Sequence, residues 1–179
     1  MNRKSQTEVC ALNSFQEIDP WSSEGAMLKR RNLPHIEVPD ATYFVTFRSR
    51  AVLSPDARDF VMAEIQRQEG TRFALDAAVV MPNHVHLIFR LLGNETLSYV
   101  LKLIKGRAAR SINQPLKRQG RVWIEECFDR VIRNAAELDE KCEYIRQNPV
   151  KEGLVSRPEE YRWLLMRRWS RLPDGDPFF

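Results

Sequence analysis

Cysteine is scarce in this chain and shows no pairing pattern. The 179 residues contain three cysteines, Cys10, Cys127 and Cys142, and no CxxC motif. An odd number of widely spaced cysteines argues against a disulfide framework and against a cysteine-rich zinc site. We therefore expect a protein of a reducing compartment, the cytoplasm.

Long apolar runs and glycine-rich phosphate loops are absent as well. No stretch reaches the roughly 18 apolar residues of a membrane span, and the polar N-terminus MNRKSQTEVC lacks the apolar core of a signal peptide. Neither GxxxxGK(S/T) nor GxGxxG occurs, and the His-Glu-x-x-His of zincin proteases is missing. The sequence thus favours a soluble protein without a membrane partner and without a common nucleotide-binding loop.

The spacing of apolar residues predicts an α+β domain in which helices pack on an antiparallel sheet. The chain divides into an N-terminal arm at 1–37, a domain at 38–160 and a basic aromatic tail at 161–179. The predicted strands are 41–50, 72–81, 84–92 and, as a strand or an extended hairpin, 121–132. The predicted helices are 53–70, 96–118 and 135–148, the last of them ended by Pro149. We place the strand 84–92 at the centre of the sheet because Val85, Leu87 and Phe89 would face one side of it and His86 and Ile88 the other.

His84 and His86 stand two residues apart in that central strand. Residues two apart in a strand point to the same face, so the two imidazoles lie side by side, and neutral imidazoles are good ligands for divalent metals. The alternative is one buried histidine that bonds the backbone and one that marks a turn. The chain has only three histidines, and strand propensity would favour Val or Ile here, which strengthens the metal interpretation.

Tyr144 and Asn148 share a face of the predicted helix 135–148, since they are four residues apart and lie away from its apolar stripe. A tyrosine hydroxyl and an amide oxygen presented together could serve as a nucleophile and a neutral metal ligand. The alternative is a surface tyrosine beside an asparagine that caps the helix. Pro149 also biases Asn148 away from helical geometry.

Two motifs together, VVMPNHVHLIF at 79–89 and YIRQNPVKEGLV at 144–155, resemble those of the single-tyrosine HUH transposases, where HUH denotes His-hydrophobic-His. The closer resemblance is to the REP-associated tyrosine transposases, which are relatives of insertion-sequence transposases. The segments 33–48, 101–113 and 122–134 are also similar to that branch, so the resemblance covers about residues 29–165. It implies the ferredoxin-like fold of HUH endonucleases.

The resemblance further implies that His84, His86 and Asn148 hold Mg²⁺ or Mn²⁺ and that Tyr144 is the nucleophile. Insertion-sequence relatives often carry Gln where this chain has Asn148, so the amide oxygen is kept on a shorter side chain. The implied reaction is cleavage and rejoining of single-stranded DNA by transesterification, through a 5′-phosphotyrosine intermediate. We expect the metal or Lys141 to help ionise the tyrosine. A hairpin-binding protein that does not cleave, and a phosphoesterase that uses water, remain open alternatives.

The resemblance implies that the DNA partner is a REP-like palindrome folded as a hairpin, with a 5′ tetranucleotide beside its stem, bound by a monomer or a homodimer in the nucleoid. The net charge is only +4, but no acidic residue occurs between Thr96 and Ile124. The lack of acids favours a phosphate-binding track over an ordinary solvated helix face. In the tail, aromatic residues alternate with arginines in a way that could stack bases, or could dock on the core. The predicted DNA-binding residues are Lys102, Lys105, Arg107, Arg110, Arg118, Arg167, Arg168 and Trp169.

Overall fold

The computed structural model describes residues 27–30, 34–38 and 41–168, which form a five-stranded antiparallel sheet, helices on its two faces and a separate two-stranded ribbon. The ribbon pairs β1 (Met27–Arg30) with β2 (Pro34–Glu37). The strands of the sheet run in the order β6-β3-β5-β4-β7, so β5 is central, as predicted. These strands are β3 (Thr42–Ser49), β4 (Phe73–Val80), β5 (His84–Leu91), β6 (Trp123–Val131) and β7 (Leu164–Met166).

Three helices pack on the sheet, and each begins at a side chain that caps it. Ser54, Thr96 and Asn134 each accept a hydrogen bond from the backbone N–H three residues later, which satisfies one of the free donors of the first turn. The helices are α1 (Pro55–Gln68), α2 (Leu97–Asn113) and α3 (Ala135–Lys151). A single 3₁₀ turn, Pro158–Glu160, follows α3.

The alternation of side chains along β5 separates two apolar cores. Val85, Leu87 and Phe89 are fully buried in the core that β5 shares with α1 and α2. Ile88 points the other way and packs with the apolar stripe of α3. Because His84 and His86 have the same parity as Ile88, both imidazoles lie on the α3 side of the sheet. The predicted division of faces along this strand is confirmed.

Two helix ends differ from the sequence prediction, and one choice that the sequence left open is resolved in favour of a strand. Pro149 does not stop α3, which continues to Lys151 with the proline buried inside it. Gly153, with φ +67°, supplies the left-handed conformation that ends the turn, and its N–H bonds the Val150 carbonyl. In the other direction, α2 ends at Asn113 instead of 118, shortly before Pro115. The segment 121–132 is one strand and not a hairpin.

Part of the predicted arm and part of the predicted tail have regular structure. The ribbon pairs 27–30 with 34–37, and β7 adds an edge strand to the sheet by pairing with β4. Trp163 lies just before β7, stacks under the guanidinium of Arg58 at 3.6 Å and donates a hydrogen bond to Asp59. These contacts explain why 161–168 runs along the domain. Residues 1–26 and 169–179 lie outside the described part of the chain.

Candidate active site

The two histidines occupy neighbouring rungs of the sheet. His86 on β5 lies opposite Thr46 on β3, and His84 lies opposite Arg48. The centroids of the two imidazole rings are 4.6 Å apart. His86 is nearly buried, with 5% of its surface exposed, whereas His84 is half-buried at the end of the strand. The pair therefore forms one compact site, as the spacing in the sequence predicts.

Each imidazole ring is held by a hydrogen bond at its Nδ1 atom. Thr46 Oγ1 lies 2.7 Å from His86 Nδ1, and Asn83 Oδ1 lies 2.6 Å from His84 Nδ1. A carboxamide oxygen can only accept, so the neutral His84 ring carries its proton on Nδ1 and keeps a lone pair on Nε2. A hydrogen bond on one ring nitrogen that aims the other is the usual arrangement of a metal-binding histidine.

Both rings are kept neutral by their surroundings. Burial lowers the pKa of His86 to about 3, with smaller contributions from the nearby His84 and from the positive charge of Arg48. Burial also lowers the pKa of His84, while the adjacent amide of Asn148 opposes that shift. A neutral imidazole retains the lone pair that a metal requires, so the electrostatics of the site favour ligation over protonation.

Tyr144 reaches the same place from α3. Its ring is 38% exposed and stands edge-on to His86, with the centroids 5.3 Å apart, and it also contacts Phe44 at 6.1 Å. Lys151 places its ammonium 5.4 Å from the centre of the tyrosine ring. Lys141, the expected helper of the tyrosine, instead forms an ion pair with Glu140 at 2.7 Å. The cation beside the tyrosine is thus Lys151, two helical turns after Tyr144.

Asn148 completes the cluster, and its amide oxygen lacks a well-formed hydrogen bond. The residue is 5% exposed, and its buried Oδ1 makes only a polar contact with His84 that falls short of hydrogen-bond geometry. Its effect on the pKa of His84 puts the amide beside that ring. An orphaned buried oxygen next to two imidazoles fits a set of metal ligands, because a cation would satisfy the oxygen that the protein leaves unpaired. Asn148 lies inside α3, so it is not the helix cap of the alternative interpretation.

The cluster lacks an acidic ligand. No group of three His, Cys, Asp or Glu side chains is placed to hold a metal in the described part of the chain. A site built here would consist of two imidazoles and an amide oxygen, with its remaining positions open. Oxygen-preferring cations such as Mg²⁺ and Mn²⁺ commonly fill such positions with water or phosphate oxygens. The donor set therefore fits a cation that acts on a bound phosphate.

The predicted basic track on α2 lies on the opposite face of the sheet. Helix α2 packs on the core of Val85, Leu87 and Phe89, whereas the imidazoles face α3. Lys102, Arg110 and Arg118 are exposed to solvent. Lys105 donates a hydrogen bond to the Ile124 carbonyl, and Arg107 forms an ion pair with Glu64 at 3.6 Å. DNA on this track would have to pass around the β6 edge to reach Tyr144.

The tail residues of the predicted DNA interface are held against the domain where they are described. Arg167 pairs with Glu69 at 3.1 Å, and Arg168 pairs with Asp139 at 2.7 Å. Trp169 lies outside the described residues. These pairs give Arg167 and Arg168 a role in fixing the chain beside β7, and their contact with DNA stays a prediction.

The structure adds residues that the sequence did not single out. Thr46, Arg48 and Phe44 all belong to β3 and face the histidines. The period of two in the segment 41–50 groups these three side chains on one face, but it does not say which strand pairs with β3. Asn83 follows Pro82 in the turn. The sequence could have identified it, because a side-chain amide directly before a histidine can bond to the imidazole and fix its orientation.

Comparison with known proteins places these features in context. Residues 43–148, more than half of the chain, match the protein family described as IS200-like transposases. A Haemophilus influenzae protein described as a "putative REP-associated tyrosine transposase" is 25% identical over 141 residues, which cover 70% of this chain and 80% of that protein. A solved structure of a REP-associated tyrosine transposase bound to a REP hairpin superposes with a TM-score of 0.63 at 22% identity, covering 84% of this chain and 89% of that one. The likeness confirms the predicted α+β architecture, and the family match spans His84, His86, Tyr144 and Asn148.

Proposed function

This chain belongs to the IS200-like transposase family, and from that premise we propose that it is a REP-associated member that cleaves and rejoins single-stranded DNA with Tyr144 as the nucleophile. The observation that carries the proposal is the meeting of Tyr144, two neutral imidazoles and an unpaired amide oxygen on one face of the sheet. A structural tyrosine would not require the unsatisfied oxygen of Asn148 beside it.

The proposed reaction is a transesterification at one DNA phosphate. The Tyr144 hydroxyl loses its proton and its oxygen attacks the phosphorus, forming the O–P bond of a 5′-phosphotyrosine. The bond from phosphorus to the 3′ oxygen breaks, and that oxygen leaves with a proton as a 3′ hydroxyl. Lys151, 5.4 Å from the tyrosine ring, stabilises negative charge on the phenol oxygen. Attack by a 3′ hydroxyl on the phosphotyrosine reverses these steps and rejoins DNA.

His84, His86 and Asn148 would hold the Mg²⁺ or Mn²⁺ of this reaction. When bound, such a cation polarises the phosphate oxygens and neutralises the charge that develops on them. The protein residues contribute a fixed geometry, since Thr46 and Asn83 hold the two rings. Because β5 is the central strand of the sheet, the backbone that carries the two histidines has little freedom to move.

The proposed partner is a REP-like DNA hairpin with a single-stranded 5′ tetranucleotide. Support comes from the relatives, one of which was solved with a REP hairpin bound. The protein would act as a monomer or a homodimer among the DNA of the cytoplasm. No helix in the described residues is both long enough and apolar enough to cross a bilayer.

Labelled hairpins taken from repeats near the gene provide the direct test. The protein is incubated with them in Mn²⁺ or in EDTA and run on a denaturing gel. We expect a slow, protease-sensitive band with Mn²⁺ that is lost in EDTA, in Tyr144→Phe and in His84→Ala. Cleavage that survives Tyr144→Phe would identify water as the nucleophile. Hairpin binding without cleavage or adduct would leave a DNA-binding protein.

A further inference from the structure

In the part of the chain that the structure describes, helix cover on the sheet face that carries the active site is concentrated over one half of that face. Helix α3 packs against β4, β5 and β7, and among the described residues no helix lies on β3 and β6 to the same extent. The outer edge of this face bears Arg48 from β3 and Phe128 and Arg130 from β6. All three are exposed. We call these three residues the β3–β6 ledge.

Phe128 is the unexpected member of the ledge. It is 49% exposed, although exposed positions of an edge strand are usually polar or charged. It lies opposite Thr46, which in turn lies opposite His86, so one rung of the sheet joins Phe128 to the candidate metal site. Two strand spacings, about 10 Å, separate the backbones of Phe128 and His86.

Phe44 fills the gap between them. Its ring stacks on His86 at 5.5 Å and meets the Phe128 ring edge-on at 6.4 Å. A series of ring contacts thus links the histidine, through the almost buried Phe44, to Phe128 at the edge of the sheet. Aromatic contacts of this kind hold Phe128 in position while leaving half of its surface to solvent.

The charges around Phe128 suit a polyanion. Arg48 is exposed and lies opposite His84 in the neighbouring strand, so its guanidinium is on the same face of the sheet as the histidines. Arg130 pairs with Glu137 at 2.8 Å and is balanced. Glu152 lies on the α3 side of the site, where its negative charge opposes the lowering of the His84 pKa. The ledge therefore offers one exposed aromatic ring and one exposed guanidinium on the face that carries the histidines.

We propose that Phe128 stacks on an unpaired base next to the scissile phosphate while Arg48 contacts the DNA backbone. This proposal rests on the proposed function and assigns the path of the single strand to the β3–β6 ledge. A ring with an adjacent cation is the combination that binds single-stranded nucleic acid without reading its sequence. A docked protein segment or a second copy of the chain would call for a continuous apolar patch, and the neighbours of Phe128 on the ledge are arginines.

Binding can be measured separately from cleavage in a Tyr144→Phe protein, which keeps the ring contact with His86. The probes are the fluorescent hairpin used in the adduct assay, with its flanking single strands, and the blunt stem of the same hairpin. Phe128→Ala should weaken binding of the flanked hairpin about tenfold and leave binding of the stem unchanged. Phe128→Trp should restore the affinity because indole also stacks.

The matched control is Phe60→Ala on α1, which removes another exposed phenylalanine (36%) from the opposite face and should change neither affinity. Equal affinity of the Phe128→Ala protein for the flanked hairpin would overturn the proposal. So would an equal loss for flanked hairpin and stem, or a dimer that Phe128→Ala converts to monomer in sedimentation. If wild-type protein forms no adduct but Phe128→Ala still loses the flanked hairpin selectively, the stacking site stands and the cleavage proposal fails.

Discussion

Asn148→Leu should make the protein more stable without metal and less stable with it. The Oδ1 of Asn148 is buried without a hydrogen bond, and a buried unsatisfied polar group costs about 1–3 kcal/mol. Leucine has a similar size and a higher helix propensity, which matters because Asn148 lies inside α3. We expect a gain of about 1 kcal/mol in unfolding free energy in EDTA, which corresponds to a rise in Tm of about 2–4 °C for a chain of this length.

When Mn²⁺ is added, the wild-type protein should become more stable than Asn148→Leu. Binding to the native state stabilises wild-type protein by about 2.7 kcal/mol at a free metal concentration of 100 times Kd, whereas the variant has lost one of three proposed ligands. Differential scanning calorimetry in EDTA and in saturating Mn²⁺ measures both effects. The stability curves of the two proteins should therefore cross as the metal is titrated.

A second asparagine in the same helix provides the control. Asn134 caps α3, and its Oδ1 accepts a hydrogen bond from Glu137 N at 2.8 Å, so Asn134→Ala should lower Tm by the equivalent of about 1 kcal/mol with and without metal. If Asn148→Leu has a lower Tm than wild-type protein in EDTA, the amide stabilises the metal-free fold, and its oxygen is not an unsatisfied group that requires a metal. A wild-type Tm that does not change when Mn²⁺ or Mg²⁺ is added would refute the metal site itself.

Three further outcomes follow from other contacts. Thr46→Val removes the hydroxyl 2.7 Å from His86 Nδ1 and should weaken Mn²⁺ binding about 10–100-fold by calorimetric titration, whereas Thr46→Ser should retain it. Burial raises the pKa of Cys142 to about 12, so its thiol should not react with iodoacetamide at pH 8 in native protein, whereas the partly exposed Cys127 should react. Peptide mapping after alkylation measures both rates, and equal rates would contradict this expectation. Trp163→Ala removes the ring under Arg58 and should cost about 2 kcal/mol in urea unfolding, and a loss within error would mean that 161–168 is not anchored.

The local sequence determined those features of the site that depend on chain geometry alone. The period of two in a strand puts His84 and His86 on one face, and the spacing of four in a helix puts Tyr144 and Asn148 together, whatever surrounds them. The sequence also predicted the central strand, because apolar residues occur on both of its faces, as in a strand that is covered on both sides. The family resemblance joined these two pairs into one site.

Element ends were less predictable because competing local signals decide them. Pro149 has a strong tendency to end a helix, yet here its ring is buried and α3 continues for two more residues. The edge strand β7 was not predicted, because three residues carry too little pattern and a strand exists only through its partner, here β4. Likewise, no local signal distinguishes Arg167, which pairs with Glu69, from an arginine that binds DNA.

Only the tertiary structure decided what surrounds the site. The pairing of β3 with β5 sets Thr46 beside His86 and Arg48 beside His84, and that register follows from long-range strand pairing. The crossing of α2 to the other face separates its basic residues from the histidines, although in sequence they follow β5 closely. The same packing leaves Phe128 exposed at the edge, because α3 covers the opposite half of that face. Residue spacing fixes which side chains share an element, while packing of distant segments fixes which elements share a site.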